Sequence, residues 1–244
     1  MDNLLRRIRS ALGGTFFIAM LCTAFIVLFA REASAQCAPR DVLQNHSTLK
    51  NTSSANVLPI LVRSAAAVPV WKTITVGTFA DSIALGNALN AAGCDVENSA
   101  GETFARPAFT LSAIKTNVEL LAVSAAELGF ETDTASLADI YARAQQLGFG
   151  FAAAEVAPQL RLQYFDQPIG EFLIIGMEPI KTWNDEPVIL NVANGGAGLI
   201  LFSQDGSADA EISVACRFIF VRSKETALAK GPLGLDKVGA SVRR

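Results

Sequence analysis

Histidine is almost missing from this chain. Its one imidazole, His46, stands in a stretch of Asn, Ser and Thr with little apolar periodicity. A Ser-His-Asp or Cys-His nucleophilic site of the ordinary kind cannot be assembled from it, and a zinc centre with histidine ligands has nothing to draw on. CxxC, HExxH and GxxxxGK[ST] are also absent, which removes the sequence signs of a structural zinc, a zincin and a P-loop. Neither metal nor cofactor is expected. Aromatic rings with polar edges are scarce, at two Trp and two Tyr, whereas exported glycosidases usually line their sugar subsites with several.

Positive charge is scarce in most of the chain but concentrated at its start. Arg6, Arg7 and Arg9 precede Thr15 to Ala30, sixteen residues without a charge, and Arg31-Glu32 then breaks the run before Ala33-Ser34-Ala35. A basic segment, an apolar segment and a small-x-small site form the pattern of a secretory signal peptide, here residues 1–35 with cleavage before Gln36. The alternative is an uncleaved anchor through residues 15–30, a little short of the ~20 residues that span a bilayer as a helix. Cleavage removes four of the 20 basic and two of the 23 acidic residues, leaving 16 against 21 and a net charge of −5. Such a balance suits nucleic acid poorly, because phosphates reward basic surfaces. The expected location is the periplasm or the medium. The expected partner is a small molecule or a protein, with membrane contact only through the N-terminal segment if it stays attached.

Cysteine is sparse as well. Of four, Cys37, Cys94 and Cys216 survive cleavage, and an odd count in an oxidising compartment implies one pair and one leftover thiol. Cys94–Cys216 is the preferred pair, as both fall inside the domain; the alternative is that they are buried thiols.

What is present divides the chain. Residues 36–68 read as a flexible tether, 69–222 as one globular domain and 223–244 as a solvated, disordered tail. Trp71 to Val76 is β-prone, and Leu85, Ala88, Leu89 and Ala92 predict a helix over Asp81 to Ala92 closed by Gly93. Short strands are expected at Phe109 to Ser112 and Val118 to Ser124. A second helix carries Leu137, Ile140, Tyr141, Ala144 and Leu147 on one face, with Asp133 or Thr134 as its cap, Gly148 at its end, and Arg143 and Gln146 off the stripe. Beyond it, Leu160 to Tyr164 alternates. Phe172 to Met177, Val188 to Val192, Leu199 to Phe202 and Ile212 to Val221 are further strands, with Asn194-Gly195-Gly196 a hairpin connection. The fold class expected is α+β: strand-helix units followed by an antiparallel β-meander in a single domain.

The densest group of polar side chains lies between Glu155 and Glu178. With Leu160 to Tyr164 as a strand, Arg161 and Gln163 share a face, and a guanidinium beside an amide can read a carboxylate or amide ligand. Glu155, Arg161, Gln163 and Gln167 are therefore the candidate ligand-binding residues. The plainer reading pairs Arg161 with Glu155 or Glu171 inside a half-buried sheet. Glu155, Glu171 and Glu178 are the candidate acid and base groups if the chain is a carboxylate-dependent hydrolase. Glu178, just before Pro179, is expected to be exposed, paired or protonated.

Asp139-Ile140-Tyr141-Ala142-Arg143-Ala144, Leu147-Gly148, Ala154-Glu155-Val156 with Pro158 through Tyr164, Asp166-Gln167-Pro168, Gly170-Glu171 and Met177-Glu178-Pro179-Ile180 carry a resemblance. Together with Trp71 to Ile74 and Val118 to Gly129, they make the chain similar to an uncharacterised family of small bacterial proteins over residues 71 to 221. The resemblance implies no activity, cofactor or site. An exported, non-catalytic binding module is thus the leading expectation, ahead of an exported hydrolase and of a protein-protein interaction domain that offers a sheet edge.

Overall fold

The first strand-helix unit forms where the apolar spacing places it. In the computed structural model, which describes residues 60–196 and 198–223, Lys72–Val76 is β1 and Ser82–Ala91 is α1. Asp81 caps α1 by accepting the Ala84 amide at 2.7 Å, satisfying one donor of the open first turn. Leu85 and Leu89, one helical turn apart, are fully buried. Gly93, at φ +71°, turns the chain out of the helix. Asp95–Val96 (β2) and Asn98–Thr103 (α2) follow, too short to announce themselves by periodicity. The strand expected at Phe109 to Ser112 does not form; the Ser112 amide bonds the Glu155 carboxylate instead.

Thr116–Ser124 is β3, Thr134–Ser136 β4, Leu137–Gln146 α3 and Phe149–Gly150 β5. Helix α3 buries Leu137, Ile140, Tyr141 and Ala144, as the stripe requires. Its cap is neither Asp133 nor Thr134 but Ser136, whose hydroxyl accepts from the Asp139 amide at 3.1 Å. The residues just before the helix are already committed to β4, which pairs antiparallel with β10, Glu211–Ser213.

The main correction falls on Leu160 to Tyr164. This stretch is not a strand: Val156–Gln163 forms a helix, α4, with Val156 through Arg161 buried. Pro158 is tolerated because it lies in the first turn, where its missing N–H has no intrahelical partner to lose. Glu155, Gln159 and Gln163 recur every four residues, which is the helical period carried by polar rather than apolar side chains.

Phe172–Ile175 is β6, Ile180–Lys181 β7, Pro187–Gly195 β8, Gly198–Asp205 β9 and Arg217–Arg222 β11. The large sheet runs β1-β3-β11-β6-β8-β9-β2, with β5 also on β11 and β7 on β8. The α+β class holds, with four α-helices among the described residues, all of which lie in one compact unit. The antiparallel meander does not hold. β6, β8 and β9 do alternate in direction, and the Asn194-Gly195-Gly196 connection is a hairpin. But β11 returns to the middle of the sheet and lies parallel to β6, and β2 lies parallel to β9, so the sheet is mixed. It curls around α4, which packs against β1 at one edge and β8 and β9 toward the other. Phe218, Ile219 and Phe220 of β11 are all fully buried, as expected for a central strand covered on both faces. Tyr141 and Phe151 cover one face at Phe220, with ring centroids 6.2 and 6.5 Å away.

The packed unit also begins earlier than the tether expectation allows. Ala65 is fully buried, and its amide donates to the Leu147 carbonyl at 2.7 Å. Val62 donates to the Glu127 carbonyl at 2.8 Å. Ile60 to Val68 therefore form a strap laid on the domain. The expected signal peptide, residues 36–59 of the tether and the tail from residue 224 lie outside the described residues.

Candidate functional site

The polar stripe of α4 turns inward onto β1 and the loop after it. Gln163 accepts the Thr75 amide at 2.8 Å and donates from Nε2 to the Thr75 carbonyl at 2.8 Å. Gln159 exchanges hydrogen bonds with the Thr78 hydroxyl at 2.8 and 3.0 Å. Glu155, 1% exposed, accepts from the Gly77 amide at 3.3 Å, from the Ser112 amide at 2.9 Å and from the Ser112 hydroxyl. Gly77 has φ +69°, and a Cβ there would stand 2.4 Å from the Ile114 carbonyl oxygen. Only glycine lets the backbone approach this carboxylate.

Arg161 leaves α4 in another direction, as a residue two positions from Gln163 on a helix must. It is 0% exposed. Nη1 donates to Gln167 Oε1 and to the Ala193 carbonyl at 3.1 Å, and Nη2 donates to the Tyr164 carbonyl. Its direct acceptors are thus neutral, and burial lowers its affinity for the proton. Gln167 in turn donates to the Glu171 carbonyl at 3.2 Å and the Val192 carbonyl at 3.3 Å. The expected pairing of Arg161 with Glu155 is not made, because the two point to different parts of the sheet.

Of the four expected ligand-facing residues, Glu155, Arg161 and Gln167 are buried and Gln163 is held by Thr75. Their bonds all run to the protein itself. The helix explains this placement: a strand would have set Arg161 and Gln163 on one open face, and α4 lies inside the curl of the sheet.

Cys94 lies against the same guanidinium. It is a buried free thiol, so the expected Cys94–Cys216 bridge is not formed. Cys94 precedes β2 and Cys216 precedes β11, four strand steps away in the sheet. Cys216 is held in a disulfide; Cys22 and Cys37 lie outside the described residues. Burial pushes the Cys94 thiol above its ordinary value, against the opposing pull of Arg161.

The three candidate acid and base groups are not gathered. Glu171 accepts from the Tyr164 hydroxyl at 2.8 Å and faces Arg217 at 3.5 Å. Burial, followed by this bond to Glu171, pushes the Tyr164 hydroxyl well above its ordinary value. Glu178 is exposed, as its position before Pro179 suggests. Glu171 and Glu178 lie beyond opposite ends of β6, whose four residues alone span roughly 13 Å at ~3.3 Å per residue. Paired glycosidic carboxylates stand about 5 to 9.5 Å apart. Among the described residues no cluster of three or more His, Cys, Asp or Glu could hold a metal ion.

Open space lies elsewhere, on either side of the Ile60 to Val68 strap. One cleft, of about 620 Å³, has apolar walls from Ile60, Leu61, Leu128 and Leu147 and two guanidinium groups, Arg63 and Arg143. The second, of about 520 Å³, is bounded by Leu61, Val68, Trp71, Glu127 and Arg217. No family model, curated protein or solved structure matches the chain. The site therefore rests on its geometry. Arg143 donates from Nε to the Leu128 carbonyl at 3.1 Å, which fixes its fork at the wall of the first cleft. Arg63 makes no ion pair or side-chain hydrogen bond among the described residues. Sequence reading missed both: Arg63 fell in the supposed tether, and Arg143 was visible only as a residue off the apolar stripe of α3.

Proposed function

We propose that this chain is an exported, non-catalytic binding module whose ligand surface is the pair of clefts beside the Ile60 to Val68 strap. The observation that carries the reading is the first cleft. Its 620 Å³ falls in the usual range of about 300–1,000 Å³ for small-molecule sites, and it combines apolar walls with a few polar groups, as such sites do. Export rests on the pattern of residues 1–35, and no helix among the described residues is long and apolar enough to cross a membrane. The hydrolase reading has less support, because Glu155 and Glu171 are tied into the fold and Glu178 stands alone at the surface. A thermal-shift screen against peptidoglycan fragments, sugars, amino acids, nucleotides and fatty acids tests the proposal, since a ligand that binds only the folded state raises its stability. A dose-dependent shift supports it, and Arg63→Gln should reduce that shift. No shift with any class would overturn it.

A further inference from the structure

The geometry points to a single-chain anionic amphiphile, a carboxylate on an unbranched apolar tail, as the ligand of the first cleft. The inference rests on the binding-module reading and adds the chemistry of the ligand. Two guanidinium groups and no acidic residue line this cleft. Glu127 lines only the neighbouring one, which Arg63 also borders, and its Oε2 accepts from the Ser124 amide at 2.7 Å and hydroxyl at 2.9 Å. Among the described residues neither Arg63 nor Arg143 is in an ion pair with a carboxylate.

The two arginines differ in a useful way. Arg143 is anchored through Nε, so its two terminal nitrogens form a fixed fork, and a fork of this kind matches a carboxylate with two parallel bonds. Arg63 is exposed and unanchored, and can close over the same oxygen pair. Behind them stand Leu128, buried under the surface, and Leu147 at the end of α3. Ile60 and Leu61, 84% and 61% exposed, form the outer lip. A sugar or free amino acid would meet too little polar surface on these walls, and an uncharged hydrocarbon would leave the guanidinium groups unused. A head that is charged and a body that is not satisfies both.

Isothermal titration of the full chain, expressed in a bacterial host and purified in the processed form that host yields, tests the inference. The probes are decanoate, decanol and acetate, which supply head and tail, tail alone and head alone. Decanoate is expected to bind at one site per chain, at least about tenfold more tightly than either partial probe, since one charge-assisted contact is worth about that factor. Arg63→Gln removes no hydrogen bond or ion pair made among the described residues, so the fold should be kept, and an unchanged urea midpoint checks this. It should weaken decanoate about tenfold and leave decanol unchanged, with Arg143→Gln acting the same way. Equal affinity for decanoate and decanol, or decanoate binding that ignores both substitutions, would overturn the inference. So would adsorption to vesicles of anionic phospholipid without any binding of decanoate. If the thermal-shift panel yields a ligand of another class while decanoate fails, the binding-module reading survives and this one does not; if nothing binds, both fall.

Discussion

Gln163 pairs with both the amide and the carbonyl of Thr75, each at 2.8 Å, occupying the place a neighbouring strand would take along β1. β1 is the edge of the sheet, and unpaired edges recruit other chains. One side chain from α4 therefore closes an edge that the fold leaves open. Gln163→Ala should lower stability by about 1–3 kcal/mol, from two hydrogen bonds at ~0.5–1.5 kcal/mol each. Urea denaturation gives the loss, and light scattering across a concentration series should show self-association absent from the parent chain. An unchanged midpoint with no association would mean that α4 shields β1 without this bond.

Gly176 and Phe220 fit with no room to spare. A Cβ on Gly176 would lie 2.2 Å from the Phe220 ring, which is fully buried. Gly176→Ala should cost about 1–3 kcal/mol or more through overpacking. Gly86 in α1 has only the edge of Phe104 within 4 Å, at 3.9 Å, so Gly86→Ala should stabilise by about 0.4–1 kcal/mol through helix propensity and a stiffer unfolded chain. Opposite signs in parallel denaturation curves are the expected result.

Cys94 is free and Cys216 is not. Adding reductant should lower the melting temperature of Cys94→Ala as much as that of the parent chain. Loss of reductant sensitivity in the variant would place Cys94 in the bridge after all. In the folded parent, Cys94 should react with a thiol reagent only slowly, because it is buried and its proton is held tightly.

Glu97 joins the start of α2 to β9. Burial alone would raise its pKa, but the amides of Ser99 and Ala100, both at 3.0 Å, and the Ser203 hydroxyl at 2.9 Å outweigh it and hold the carboxyl below its ordinary 4.5. A group depressed in the folded state contributes stability at pH values above its unfolded pKa and loses it as pH falls through the folded one. The contribution should thus be complete at neutral pH and fade below about 4.5. Glu97→Gln should flatten the fall in urea midpoint across that acid range; an unaltered slope would show that other carboxylates set it.

The sequence disclosed the elements whose apolar spacing is long enough to be unambiguous. Helix α1 has Leu85 and Leu89 with a capping Asp81, α3 has its five-residue stripe, and β3 and β6 read as apolar runs. What it hid follows from burial. α4 is buried on nearly every side, so its apolar residues lose their stripe, and Leu160 to Tyr164 alternates by accident of where Arg161 and Gln163 fall. The helical period survives only in Glu155, Gln159 and Gln163, which are polar because they bond β1 and the loops beside it, Glu155 and Gln163 to backbone and Gln159 to the Thr78 hydroxyl. That choice of period also decided the site: once Leu160 to Tyr164 is taken as a strand, Arg161 and Gln163 seem to face a ligand. The position of β11 was illegible for another reason, since no local pattern tells a strand to return between β3 and β6. Arg63 and Arg143 form a cleft only because the strap folds back onto α3, a contact between residues some 80 positions apart.

Arg222 donates from Nη1 to the Ala65 carbonyl and from Nη2 to the Val68 carbonyl at 3.0 Å, so the last strand of the sheet clasps the first packed turn of the chain. Among the described residues the route is in effect a closed circuit, its first packed turn and its last strand joined by one side chain. The same closure means that a short linker could join residue 223 to residue 60 and new ends be opened at an exposed turn such as Gly195-Gly196, with the order of the strands in space unchanged.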